Sequence, residues 1–277
     1  MGKTVLGIAP HGYSVIGELA GKELKAFEKI RHGMIHFAQT FYDPAPETII
    51  VFTPHGIRVK DKVMIYQGSY AEGYLSANGE TVHQRFDYDN QLSEKLYEGL
   101  SEKFDMVESC VLGSAQGPFS VLPLDWGCAI PLKFIAEALD YKPKVVIVSL
   151  DIYEDAEGIM VDLGREINKI VEQEEKSIGI IISADQGHCH DEAGPYGYHP
   201  ASKEFDELMI DVIVSNDFEN LKGLDSGLIE DGKMDSLMQT LILSGLIEGE
   251  EWTNKLLTYD APTYFGMLVA TYTQEKS

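Results

Sequence analysis

Basic side chains are scarce in this sequence. Lysine and arginine number 22 against 45 aspartates and glutamates, a net charge of −23 over 277 residues. That balance works against holding DNA or RNA through counterion release, and against anionic membrane surfaces. Cysteine is scarcer still: Cys110, Cys128 and Cys189 lie far apart and form no CxxC pair. A disulfide framework and a zinc–thiolate site are thereby excluded, and reduced thiols are expected. No apolar run approaches the roughly 18 residues of a membrane span. The opening MGKTVLGIAPHG lacks the apolar stretch of a secretory leader, and Leu6 stands where N-myristoylation requires Ser or Thr. A soluble, cytoplasmic protein is expected. Nucleotide and hydrolase signatures are missing too. The stretch GELAGK (17–22) is one residue short of a phosphate-binding P-loop, with Glu23 in place of Ser or Thr. No GxGxxG follows the first apolar run, and no GxSxG nucleophile elbow occurs.

Apolar residues are plentiful, at 44%, and they come in short β-branched runs at 5–9, 48–53, 110–112, 144–150, 178–183 and 267–271. Helical patterns separate several of these. Residues 21–40 are rich in Lys, Glu, Ala, Phe and Leu, and residues 156–175 carry Ile159, Leu163, Ile167, Ile170 and Val171 at helical spacing. Continuously apolar strands alternating with helices predict an α/β fold. Its core is a central mixed, largely parallel sheet flanked by helices. Residues 61–90 break the rhythm with a hairpin turn at Ala77-Asn78-Gly79-Glu80, read as a small β-hairpin excursion from the main sheet. Further helices are expected at 90–104, 202–216 and 234–244. No long polar linker interrupts the chain, so one domain over 1–277 is expected.

Eight histidines are present, and two share a setting: Pro10-His11-Gly12 and Pro54-His55-Gly56 each end a strand-forming run. Pro and Gly punctuate strand ends in any protein, so either motif alone carries little. Together they place two imidazoles at the carboxyl ends of strands, where parallel α/β sheets line their ligand crevice, and consecutive strands are often neighbours. Imidazole suits iron, zinc, copper or nickel. A third strand end, at 178–183, runs into Asp185-Gln186-Gly187-His188-Cys189-His190. His32 and His36 are spaced i,i+4 on one helix face, but Gly33 follows His32 where a metalloprotease helix needs Glu, and an exposed role is expected. Two imidazoles leave a metal's charge uncompensated, and a carboxylate would complete a facial triad. The candidates are Asp235, which is also a plausible helix N-cap, and Asp260 in Tyr259-Asp260-Ala261-Pro262.

The segments APHG, TIIVFTPHG, LPLDWGCAIPL, SADQGHCHDEAGPYGY, DSLMQTLILSG and YDAPTYFGMLVA, in this order, resemble the class III extradiol ring-cleavage dioxygenases of the protocatechuate 4,5-dioxygenase catalytic-subunit type. The resemblance spans nearly the whole chain. It implies a helix-flanked mixed sheet and iron(II), with zinc or manganese as alternatives, held by His11, His55 and the carboxylate of Asp235. It gives His188 the acid–base role, with His190 as its rival, and places Trp126, Tyr196 and Tyr264 around an aromatic substrate. It further implies dioxygen as co-substrate, a muconic semialdehyde as product, and a homo-oligomer with or without a small partner subunit. Two positions depart from the family pattern: Asp235 stands where Glu is usual, and Asp125-Trp126-Gly127 where many members have Asp-His-Gly. The superfamily also contains members without demonstrated ring cleavage. A metal- or peptide-binding protein on the same fold, or a zinc-dependent hydrolase, are therefore the alternatives.

Overall fold

From β1 (Thr4–Ala9) the chain crosses through α1 (Glu28–Thr40) to β2 (Thr48–Thr53). The computed structural model describes residues 4–151 and 157–274. After β2 come β3 (Val63–Gln67), the hairpin β4 (Tyr70–Ala77) and β5 (Glu80–Asp87), α2 (Asn90–Leu100), β6 (Met106–Cys110) and β7 (Val121–Pro123). Next are α3 (Trp126–Ala138), β8 (Lys144–Leu150), α4 (Glu157–Val171) and β9 (Ile178–Ser183). The chain finishes with α5 (Pro200–Ser215), α6 (Ser226–Gly232), α7 (Leu237–Ile247), β10 (Thr253–Asp260) and β11 (Met267–Thr273). No helix among the described residues is long and apolar enough to cross a membrane.

Eight strands form one mixed sheet in the order β10-β11-β1-β9-β2-β8-β3-β6. Its centre, β1-β9-β2-β8, is parallel, and β11 and β3 flank it antiparallel. The central strands are apolar throughout because both faces are covered. Leu6, Ile8, Ile50, Phe52, Ile180 and Ile182 pack on one side with Leu163 of α4, Phe205 of α5 and Leu241 of α7. Val5, Ile49, Val51 and Ile181 pack on the other with Phe37 of α1 and Ile130 of α3. Period-two alternation thus sorts side chains between two cores rather than between core and water.

Several expected boundaries shift. Only β4 and β5 leave the main sheet, joining β7 in a three-stranded sheet, whereas β3 pairs antiparallel with β8 inside it. The run 110–112 is not a strand: β6 ends at Cys110, and a 3-10 turn over Val111–Gly113 follows with Leu112 at φ 56°. A 3-10 turn over Gly21–Glu23 and an ordinary turn over 24–27 come first, so α1 begins only at Glu28. The expected start of the 156–175 helix at Ala156 lies outside the described residues. β10, which sequence periodicity did not reveal, is a half-exposed edge strand with a bulge between Leu256 and Thr258, so it has no continuous apolar run.

Helices α4 and α7 touch backbone to backbone. A Cβ on Gly164 would lie 2.1 Å from the Ile242 carbonyl oxygen, and one on Gly245 2.0 Å from that of Val161. Both clashes are with backbone, so no rotamer change relieves them. Because Asp235 lies just ahead of α7, this contact also sets where its carboxylate sits. Gly164→Ala or Gly245→Ala is expected to cost roughly 1–3 kcal/mol or more of stability through overpacking, read as a lowered midpoint in urea. An unchanged midpoint would mean that the helices separate freely.

Candidate metal centre

β1 and β2 are not neighbours. β9 lies between them, and that intervening strand explains why the two Pro-His-Gly endings converge. β9 ends at Ser183, and the residues after it supply the groups that hold His11. Both glycines of the repeated motif are required by close approach. A Cβ on Gly12 would lie 2.7 Å from the Phe265 ring, and one on Gly56 1.8 Å from Ser149 Oγ.

His11 is buried, with its Nε2 2.9 Å from Nε2 of His55 and the two rings edge to face. Oδ2 of Asp235 lies 3.4 Å from each of these nitrogens. One nitrogen from each histidine and one carboxylate oxygen therefore fall within 4.8 Å of one another, a cluster able to hold a metal ion. Two neutral imidazoles and one carboxylate are the donor set of a facial triad suited to non-haem iron(II).

Supporting hydrogen bonds orient each member. Ser183 Oγ donates to the Gly127 carbonyl at 2.5 Å, so its oxygen accepts from His11 Nδ1–H at 3.0 Å. With Nδ1 committed in this way, Nε2 is the nitrogen left for a ligand. The His11 backbone N–H donates to Asp185 Oδ1 at 3.0 Å, and the Asp185 N–H donates to Asp235 Oδ1 at 2.9 Å. The His55 backbone N–H donates to Thr53 Oγ1 at 3.2 Å, and that hydroxyl donates to Asp125 Oδ1 at 2.9 Å. Asp125 in turn caps α3 by accepting from the Cys128 N–H.

Electrostatics follow from this packing. Burial pulls the His11 imidazolium down, but the Asp185 and Asp235 carboxylates outweigh burial and hold it up at about 9. Burial alone would raise Asp235, yet His11 and then His55 bring it well below the usual carboxylate range. Asp185 is raised, chiefly by burial.

Asp235 does not cap a helix. The N-cap position of α7 is Ser236, with no side-chain cap bond. From the residue ahead of the α7 N-cap, the Asp235 carboxylate reaches both histidines. Asp260 is remote from the cluster: it ends β10, accepts from the Ala261 N–H and faces Lys29. His32 and His36 are exposed on α1.

An open cleft of about 570 Å3 adjoins the cluster, lined in part by His11, His55, Trp126, His188, Tyr196 and Tyr264. The Trp126 ring lies 4.3 Å from that of His55, tilted by 31°. Burial, followed by Tyr196, Asp185 and Glu23, raises the Tyr264 phenol above its ordinary range, so it enters the cleft as a donor. His188 stacks on Phe265 at 5.6 Å, and its Nδ1 is buried without a hydrogen-bond partner.

The structure separates His190 from His188. His190 Nε2 is bonded to Asp206 Oδ2 at 2.8 Å, an oxygen that also accepts from the Tyr259 hydroxyl at 2.6 Å. Asp206 Oδ1 accepts the Gly187 N–H. His190 is thus a strut of the loop that presents His188, and it does not line the cleft. Tyr198, another aromatic of that loop, pairs through its backbone with His190, and its exposed side chain is not among those lining the cleft. Ser183 is the residue of this cluster that sequence reasoning passed over, and Asp185 was read only as a neighbour of His188; their position at the carboxyl end of a central parallel strand was the available signal.

Comparison with known proteins places this site in context. The family model described as the catalytic LigB subunit of aromatic ring-opening dioxygenase matches residues 6–270. Protein CA_C1420 of Clostridium acetobutylicum is 27% identical over 256 residues, 91% of this chain and 54% of that protein. The chain therefore spans about half the length of this curated relative. A MEMO1 family protein of Thermococcus onnurineus is 22% identical over 269 residues, 90% of this chain and 78% of that protein. Among solved structures, the uncharacterized protein JW3007 of Escherichia coli aligns at a TM-score of 0.59 and 14% identity, covering 98% of this chain and 99% of that one. This last similarity is one of fold.

Proposed function

This chain belongs to the family of catalytic LigB subunits of aromatic ring-opening dioxygenases, and from that membership and the His11–His55–Asp235 cluster we propose that it is a non-haem iron(II) extradiol dioxygenase. Its substrate in this reading is a catechol-type or aminophenol-type ring, opened next to the diol with both atoms of dioxygen entering a muconic semialdehyde. The observation that carries the reading is the convergence of two imidazole nitrogens and one carboxylate oxygen beside an aromatic-walled cleft. His11, His55 and Asp235 would hold the metal. Iron(II) held there would supply the redox chemistry that lets dioxygen react with the diol.

The chain's own residues do the rest. Trp126, Tyr196 and Tyr264 offer the faces and edges against which an aromatic ring packs. His188 takes a hydroxyl proton as the diol binds and returns one during ring opening. Imidazole suits both directions near neutral pH, and His188 lines the cleft that the diol would enter. His188→Ala is expected to keep its metal and to lose about 10²–10⁴-fold in turnover, the usual worth of a positioned acid–base group. An oxygen electrode with catechol, on iron-loaded protein prepared anaerobically, reads this. An undiminished rate in the variant removes His188 from the role. Absence of oxygen uptake by the parent with any catechol would favour a binding protein on this fold, and hydrolysis under strict anaerobiosis a zinc hydrolase.

A further inference from the structure

Histidines aside, the charged side chains that line the cleft are carboxylates. Among the described residues that line it are Glu23, Asp185 and Asp191, and neither lysine nor arginine is present. Asp185 is engaged with His11. The other two bond away from the metal cluster: Glu23 Oε2 accepts from the Ser14 hydroxyl at 2.6 Å, and Asp191 Oδ1 from the Ala193 N–H at 2.9 Å. The second oxygen of each carboxylate has no hydrogen-bond partner among the described residues. Arg58 lines a separate apolar pocket, with Leu150 and Met238, that shares only His55 with the cleft.

Away from the metal cluster, a substrate carboxylate in this cleft would meet like charges and find no lysine or arginine to pair with, which is costly wherever water is partly excluded. An ammonium group would meet the opposite: an open carboxylate oxygen on half-buried Glu23, among the rings of Tyr13, Phe27, Tyr196 and Tyr264. The metal end of the cleft is balanced separately, because Asp185 and Asp235 lie there.

Resting on the dioxygenase reading of this site, we propose that the cleft selects catechols whose ring substituent carries an ammonium group and rejects carboxylated ones, with Glu23 as the residue that takes the ammonium. Anaerobic calorimetric titration of the iron-loaded protein with dopamine, catechol and protocatechuate tests this directly. Dopamine is expected to bind about tenfold more tightly than catechol, and protocatechuate about tenfold more weakly, the scale of one partly screened ion pair or clash. Glu23→Gln should bring the dopamine-to-catechol ratio close to one, and Glu23→Lys should turn the preference towards protocatechuate. Protocatechuate binding as tightly as catechol to the parent overturns the proposal, as does a ratio that neither Glu23 variant moves. Oxygen uptake on the same samples keeps the two readings apart. The expected order of affinities without oxygen consumption upholds the selectivity and removes the dioxygenase reading. Oxygen consumption with protocatechuate as the preferred ligand does the reverse.

Discussion

His11→Ala and His55→Ala are each expected to abolish stoichiometric iron(II) binding. Each variant deletes one of three converging donors, and His11 also supplies the imidazole that neighbouring groups orient most tightly. Losing only a supporting hydrogen bond beyond the ligands usually costs roughly 10–100-fold in metal affinity, so losing a direct donor should exceed that. Ser183→Ala provides the calibration. It leaves all three donors in place but removes the acceptor that commits His11 Nδ1–H, and it should fall within the 10–100-fold range. Anaerobic titration followed by iron analysis ranks the four proteins. If parent, His11→Ala and His55→Ala bind alike, the cluster does not hold the metal and the dioxygenase reading loses its basis. If Ser183→Ala is as damaging as the histidine variants, the serine's role goes beyond setting a tautomer.

Much of this site was legible because strand ends advertise themselves. Pro-His-Gly after an apolar β-branched run marked two members of the cluster, and the apolar run at 178–183 marked the loop that carries His188. What the chain order hid was spatial order. Nothing in the sequence says that β9, more than a hundred residues after β2, slots between β1 and β2. That insertion brings Ser183 and Asp185 against His11. That His190 is tied into the fold while His188 lines the cleft was equally beyond local pattern, since the partners of His190, Asp206 and through it Tyr259, come from α5 and β10. Sequence periodicity also failed where burial is partial: β10 has one half-exposed face and a bulge, so no run of apolar residues announces it. Asp235 read equally well as an N-cap, and only the placement of α7 one residue later distinguishes the two roles.

Metal binding is expected to expel about one proton per iron at pH 7.5, because a ligand must give up its proton to coordinate. The proton comes from His11. Its Nδ1–H is committed to Ser183, and the Asp185 and Asp235 carboxylates, outweighing burial, hold the imidazolium to about 9, so at neutral pH Nε2 also carries a proton in the metal-free protein. That proton lies between ring nitrogens only 2.9 Å apart and beside Asp235, where the metal's charge would act. Two opposed pH dependences result. A histidine raised from 6.5 stabilises the metal-free fold fully below 6.5, and that contribution, on the order of 3 kcal/mol for the ion pair counted once, is lost as pH rises through about 9. Metal affinity moves the other way, rising about tenfold per pH unit over the lower part of that window and levelling off as pH approaches about 9, where the competing proton is already leaving. Asp235→Asn tests the cause. It removes one of the two carboxylates that hold the imidazolium up, so fewer protons should leave per metal bound even though affinity drops. Calorimetry at pH 7.5 in buffers of different ionisation enthalpy counts those protons. A count near zero in the parent would mean that His11 is already neutral, and its carboxylates would then serve to orient the ring rather than to hold a proton that the metal displaces.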